Sequence, residues 1–265
     1  MDTVAPNLDT SAAISVEDFS AAYSGQIILK NVTFQIRRGE VIVIAGGSGS
    51  GKSTLLKHMI GLYRPAAGRI LINGRDIAKS AGKERERILR SFGVAFQGGA
   101  LFGSLTVLQN VRLPVEEFTR LTREMADMVS ISKLQLVQLA AAAQKLPSEL
   151  SGGMQKRAAI ARALALDPEI VFLDEPSAGL DPITSASLDQ LIISLNHLLG
   201  ITFVIVSHEL ASIFTIADRV AVLDGVSQTL VALDEPVRLR DSSPNPHVRA
   251  FLSRQASDGP APAAH

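Results

Sequence analysis

A glycine cluster set between a β-branched run and a helical run constrains this chain more than any other feature. Val41, Ile42, Val43 and Ile44 lead into Gly46, Gly47, Ser48, Gly49, Ser50, Gly51, Lys52 and Ser53, and the residues from Lys52 through Met59 carry helical periodicity. The cluster fits G-x-x-x-x-G-K-[ST], and its place between a strand and a helix turns the pattern into a structural expectation. Glycines let the backbone take positive φ and turn successive N–H groups toward one anion. The helix N-terminus that follows adds partial positive charge. A nucleoside triphosphate is the implied ligand, with Lys52 reaching its β and γ phosphates and the Ser53 hydroxyl ligating Mg²⁺. The segment from Gly46 to Thr54 is therefore the candidate ATP-binding loop. A merely flexible glycine-rich loop beside a surface lysine would leave the flanking strand and helix unexplained.

A second apolar run, Ile170 to Leu173, ends in Asp174 and Glu175. Ligand chemistry in open α/β sheets gathers at the carboxyl ends of strands, which makes Asp174 the expected second Mg²⁺ anchor. Mg²⁺ keeps several waters and takes few protein oxygens, so Glu175 is left free. A free carboxylate there can orient and deprotonate an attacking water, a contribution of roughly 10²- to 10⁴-fold. Leu150, Ser151, Gly152, Gly153, Met154 and Gln155 precede a helix-like run from Lys156 to Leu166 that Asp167-Pro168 terminates. Ser151 fits an N-cap, which makes a second helix end suited to an anion. Alone, such a turn is as readily a structural cap.

The rest of the chain is expected to be β-rich from Ile14 to about Gly74, with a hairpin at Asn73-Gly74 after a strand over Arg69 to Ile72. A helical lobe follows from Val107 to Leu146. A buried strand returns at Phe203 to Val206, a late hairpin at Asp224-Gly225 and a terminal helix at Asn245 to Arg254. Lys and Arg total 26 against 26 Asp and Glu, a balance that argues against a nucleic-acid partner. The absence of cysteine removes disulfides and thiolate chemistry. No run approaches the roughly 20 apolar residues of a membrane span, and the first residues lack a signal-peptide pattern. The expectation is a cytoplasmic chain that meets a membrane only through a partner.

With these motifs in order, the chain resembles the nucleotide-binding subunits of ATP-binding-cassette (ABC) transporters. The resemblance runs over nearly its whole length: the phosphate loop, Gln97, the Leu150 to Gln155 signature, Asp174-Glu175, the Ser177 to Asp181 loop and His208. It implies an α/β fold of the P-loop NTPase, ABC-type ATPase class. This has a RecA-like core, an antiparallel β subdomain and a helical signature subdomain inserted at about 104–166. The nucleotide-binding domain is expected over 14–255, between flexible ends at 1–13 and 256–265.

By the same resemblance, Gln97 joins the metal and water shell and relays to the membrane subunit, His208 contacts the γ-phosphate, and Tyr23 stacks on adenine. Singly, each also has a plain reading, as a strand-end amide, a satisfied histidine and a half-buried aromatic. The Ser151, Gly152, Gly153 and Gln155 turn would serve the nucleotide of a second copy in a head-to-tail homodimer, with Asp181 counted in the ATP-binding set. Glu175, His208, Gln97 and Lys52 form the expected catalytic group; Ser53, Gln97 and Asp174 form the metal set.

Phe96 to Phe102, Leu146 to Met154, Asp181 to Thr184 and Pro244 to Leu252 are similar to the Mla-type phospholipid-transport ATPases. That subtype implies an MlaE-type permease, an MlaD-type MCE protein and an MlaB-type STAS-domain protein as partners. It also implies phospholipid as cargo, the cytoplasmic face of the inner membrane as location, and upkeep of outer-membrane asymmetry as the outcome. The Ser177 to Asp181 loop is closer to the general transporter pattern. An amino-acid or metal importer of the same fold, or a non-transport ABC ATPase, remains the alternative.

Overall fold

The computed structural model describes residues 12–254. The chain opens with strands β1 (Ala12–Tyr23), β2 (Gln26–Arg37) and β3 (Val41–Gly46), then helix α1 (Lys52–Met59). Next come β4 (Ala67–Ile72), β5 (Arg75–Asp76), α2 (Gly82–Arg90) and β6 (Phe92–Ala95). Helices α3 (Val107–Phe118), α4 (Arg123–Leu136) and α5 (Gly152–Ala163) form the lobe ahead of β7 (Ile170–Asp174) and α6 (Pro182–Leu199). The remainder is β8 (Thr202–Val206), α7 (Leu210–Ile216), β9 (Arg219–Asp224), β10 (Thr229–Asp234), α8 (Pro236–Ser242) and α9 (Pro246–Leu252).

Two sheets organise these elements. One has four antiparallel strands in the order β2-β1-β4-β5; the other has six in the order β10-β9-β3-β8-β7-β6. In the larger sheet β9, β3, β8, β7 and β6 run parallel, and β10 closes the edge antiparallel to β9. Every residue of β3 and β8 is buried, as a central parallel strand covered on both faces requires. Alternation along each strand divides the interior into two cores. Ile42, Ile44, Phe172, Val204 and Val206 face α1 and the antiparallel sheet, packing with Phe19, Leu55 and Met59. Val41, Val43, Leu173, Phe203 and Ile205 face the opposite side, with Val111, Ile160 and Ile192. Each fully buried side chain of this size contributes about 1.5–3 kcal/mol.

The Asn73-Gly74 hairpin forms, both residues in the left-handed region, and joins β4 to β5. The first strand starts at Ala12, so the sheet takes in two residues expected in the flexible N-terminus; the rest of that expectation, and the tail over 256–265, fall outside the described residues. Helix α5 begins at Gly152 rather than Lys156 and ends at Ala163, because the Ser151 hydroxyl accepts from the Met154 N–H at 3.3 Å and sets the start. In the lobe, Thr106 and Gln109 cap α3 reciprocally, and the buried Asn110 side chain pairs with Phe102, Leu105 and Thr106 backbone. That amide pins the segment following Gln97.

Candidate functional site

The carboxyl ends of β3, β8, β7 and β6 lie side by side, with Ile44 and Asp174 both opposite Val206 and Ala95 opposite Leu173. Everything that leaves those four ends enters one edge of the sheet. From β3 comes the phosphate loop. Gly46 holds φ at 146°, and a Cβ there would stand 2.3 Å from the Leu223 carbonyl oxygen of β9, so only glycine lets the strand turn at this point. The Lys52 ammonium folds back over the loop and donates to the carbonyls of Gly46 and Gly47 at 2.9 and 2.8 Å. Burial lowers its pKa, while Glu175 and Asp174 hold it up. Ser53 in the first turn of α1 is exposed.

From β7 come the two carboxylates. Asp174 Oδ1 is buried and has no hydrogen-bond partner. Burial raises the Asp174 pKa, Glu175 adds to the rise, and Lys57, Lys156 and Lys52 oppose it. A buried, orphaned carboxylate oxygen at the end of β7, with the exposed Ser53 hydroxyl at the start of α1, offers donors that suit a hard, oxygen-seeking cation such as Mg²⁺. Glu175 sits in the left-handed region at φ 48°, which costs a non-glycine residue of order 1–3 kcal/mol. Three backbone bonds hold it there. Its N–H donates to Val206 O at 2.9 Å, and its carbonyl accepts from Ala178 N–H at 3.2 Å and from Lys156 Nζ at 3.3 Å.

From β8 comes His208, whose Nδ1 lies 2.7 Å from Glu175 Oε1. An ionised carboxylate only accepts, so Nδ1 carries the proton and Nε2 is the free ring nitrogen. Glu175's side chain is 12% exposed and that of His208 65%, so the imidazole stands at the solvent side of the pair. From β6 comes Gln97, exposed, with its carbonyl accepting from Lys156 Nζ. Arg162, further along α5, donates to the carbonyls of Gly99 and Ala100 at 2.8 and 2.7 Å, so α5 holds the whole Gln97 loop.

Tyr23 ends β1 in the antiparallel sheet, 38% exposed, and hydrogen-bonds Thr54 in the first turn of α1. Its ring meets Tyr63 edge-on at 5.4 Å and lies 6.5 Å from the His58 ring. His58 is buried, packs edge-on against Phe19 and sits 2.7 Å by Nδ1 from the Thr54 carbonyl. Burial and then Tyr63 raise the Tyr23 hydroxyl pKa, against the hydrogen bond with Thr54. An aromatic face is thus braced beside the first turns of α1. Sequence reasoning did not find Tyr63, His58 or Lys156. His58 carried one signal, its helical i+4 spacing from Thr54.

The Ser151 turn lies elsewhere. Gly152 and Gly153 have Leu180 and Thr184 as nearest neighbours, the latter so close that a Cβ on Gly153 would stand 2.5 Å from Thr184 Cγ2. Ser151 and Gly152 are exposed. Gln155 points inward, its amide donating to the carbonyls of Pro147 and Leu150 at 3.0 and 3.4 Å. The Asp181 carboxylate caps α6, accepting from the Ile183 and Thr184 N–H groups at 3.1 and 3.0 Å, and hydrogen bonds from Thr184 lower its pKa. The structure therefore gathers Gly46 to Thr54, Gln97, Asp174, Glu175, His208 and Tyr23; the Gln155 backbone lies against Gly99 of the Gln97 loop, while Gly152 and Gly153 pack on Leu180 and Thr184 beside the Asp181 cap.

Residues 29–178 match the ABC transporter family. The chain is 43% identical over 232 residues to the Mycobacterium leprae (strain TN) protein named probable ribonucleotide transport ATP-binding protein mkl, which covers 85% of this chain and 67% of the relative. It thus spans about two thirds of the length of that mycobacterial protein. It is 39% identical over 249 residues to the intermembrane phospholipid transport system ATP-binding protein MlaF of Escherichia coli (strain K12), covering 94% of this chain and 91% of that one. Among solved structures, the dimeric post-hydrolysis state of the ATP-binding cassette MJ0796 bound to ADP and Pi matches with a TM-score of 0.75 and 32% identity. That match covers 84% of this chain and 98% of the cassette.

Proposed function

The chain belongs to the ABC transporter family and is its ATP-binding, ATP-hydrolysing subunit, and from that premise we propose that it energises phospholipid transport as a head-to-tail dimer. The observation that carries the catalytic part is the Glu175–His208 pair beside the orphaned Asp174 oxygen, at the mouth of the phosphate loop.

Lys52 exchanges its two carbonyl partners for the β and γ phosphates, while the loop N–H groups from Gly46 to Thr54 surround them. Ser53, Asp174 and Gln97 would hold Mg²⁺, which would offset the negative charge developing on the transferring phosphoryl group. Glu175 takes the proton of the attacking water as the new bond to the γ-phosphorus forms. The bond from that phosphorus to the bridging oxygen breaks, giving ADP and orthophosphate. In its doubly protonated form His208 donates Nδ1–H to the Glu175 carboxylate and Nε2–H to a γ-phosphate oxygen. Tyr23 supplies a stacking face for adenine, worth about 1–3 kcal/mol.

One triphosphate already has its cradle, so the exposed Ser151 turn is available to the nucleotide of a second copy. Under a twofold axis both sites become composite. Dimeric MJ0796 lends support, as a related cassette paired with ADP and Pi. Hydrolysis replaces one bridging anion by separated products and shifts the pair toward separation, by differential affinity of the two states.

The phospholipid reading rests on MlaF, which matches this chain over nearly the full length of both. Among the described residues no helix is long and apolar enough to cross a membrane, and the reading assigns that crossing to an MlaE-type permease. MlaD-type and MlaB-type proteins complete the assembly, at the cytoplasmic face of the inner membrane, with outer-membrane asymmetry as its outcome. Purifying the tagged chain from its native membranes in mild detergent tests this. The expected result is a permease with an MCE protein and bound phospholipid. Recovery of a permease loaded with a ribonucleotide, an amino acid or a metal ion would overturn it.

A further inference from the structure

We propose that Lys156 is a positioning residue that couples the two nucleotide sites of the dimer, by tying the helix that carries the Ser151 turn to the backbone of Glu175 and Gln97. This rests on the reading above, in which Ser151 serves the partner's nucleotide and Glu175 is the base.

The geometry is that of a short lever. Ser151 caps α5, and Lys156 lies on the same helix about 7.5 Å further along its axis. Helix α5 is buried around most of its circumference at Ala158, Ala159, Ile160 and Ala161, so the helix moves as a rod and not residue by residue. From this rod the Lys156 ammonium donates to the carbonyls of Gln97 and Glu175, the first just beyond β6 and the second just beyond β7. These partners are 59 and 19 residues away in sequence, and both belong to the chain's own nucleotide site.

The Glu175 carbonyl matters because of the backbone it belongs to. Glu175 is left-handed, and that conformation aims its carboxylate at His208. Moving the carbonyl rotates the peptide and re-aims the side chain. A displacement of the Ser151 turn by the partner's phosphate is therefore delivered along α5 to the direction of the base, and through the second carbonyl to Gln97. The contacts are physical and contiguous, and their link to catalysis is a coupling that functional measurement can quantify.

ATP hydrolysis by the full-length chain in complex with its permease, followed against ATP concentration, tests the proposal in the parent, Lys156→Met and Lys156→Arg. The parent is expected to be cooperative, with a Hill coefficient above about 1.5. Lys156→Met should lower kcat about tenfold or more, bring the Hill coefficient to about 1 and leave half-saturating ATP within about twofold. Lys156→Arg, which keeps a charged donor, should restore both. A non-cooperative parent overturns the coupling, as does a Met variant that keeps the parent's kcat and Hill coefficient. Equal losses in Met and Arg assign Lys156 a structural role only, which also overturns it. Where thermal melting shows that Lys156→Met does not fold, Lys156→Gln takes its place under the same criteria, and failure of both to fold again counts against the proposal. Glu175→Gln run in parallel separates the two readings, because undiminished hydrolysis there discards the base assignment whatever Lys156 does.

Discussion

The Glu175 carboxylate and the Nδ1–H of His208 meet at 2.7 Å across the exits of the adjacent strands β7 and β8. The pair joins a proton acceptor to a group that orients it, with Asp174 immediately before the acceptor in sequence. In Glu175→Gln the amide retains the shape and loses the basicity. Hydrolysis is expected to fall about 10²-fold or more while ATP binding, measured with a fluorescent analogue, is retained. An unchanged rate would remove Glu175 from its role.

Lys52 presents the opposite case, a group whose present partners are only backbone carbonyls of its own loop. Its loss in Lys52→Ala deletes charge-assisted bonds to phosphate worth about 1.5–3 kcal/mol, so ATP affinity should drop roughly ten- to a hundredfold. Equilibrium binding titration checks this, and near-parent affinity would contradict the assignment.

Tyr23 is held by Tyr63 and His58, and both tyrosine rings are partly exposed, with stacking assigned to Tyr23. Tyr23→Ala should weaken ATP binding by about 1–3 kcal/mol. Tyr63→Ala removes only the brace and should cost less. A larger effect from Tyr63 than from Tyr23 would show that the adenine lies elsewhere.

Asp189 on α6 is 4% exposed, and burial lifts its pKa, with Glu209 adding and Ser212 opposing. The folded chain then binds a proton more readily than the unfolded one. Stability must fall as pH rises from the ordinary aspartate value, about 3.9, through the raised folded value, and the whole cost is present above it. Asp189→Asn removes the charge, so its melting temperature should exceed the parent's by a few degrees at pH 7.5 and converge with it as pH falls toward about 4. A difference that stays constant with pH would exclude burial of the charge as the cause.

Local pattern made much of this protein legible before any coordinates. The β-branched run ahead of Gly46, the cap at Ser151, the hairpin at Asn73-Gly74 and the apolar strand ahead of Asp174 each act over a few residues, where steric and capping rules operate. Helix α2, with Ile88 its one buried residue, carried too little apolar periodicity to be read. The sequence by itself thus determined the phosphate loop, the acidic strand end and the family that both belong to. Only the tertiary structure decided that Glu175 is turned onto His208, that Tyr63 and His58 stand behind Tyr23, and that Lys156 joins α5 to two distant carbonyls. The physical reason is that backbone carbonyls look alike in every sequence, and which of them an ammonium reaches depends on how β6, β7 and α5 are packed together.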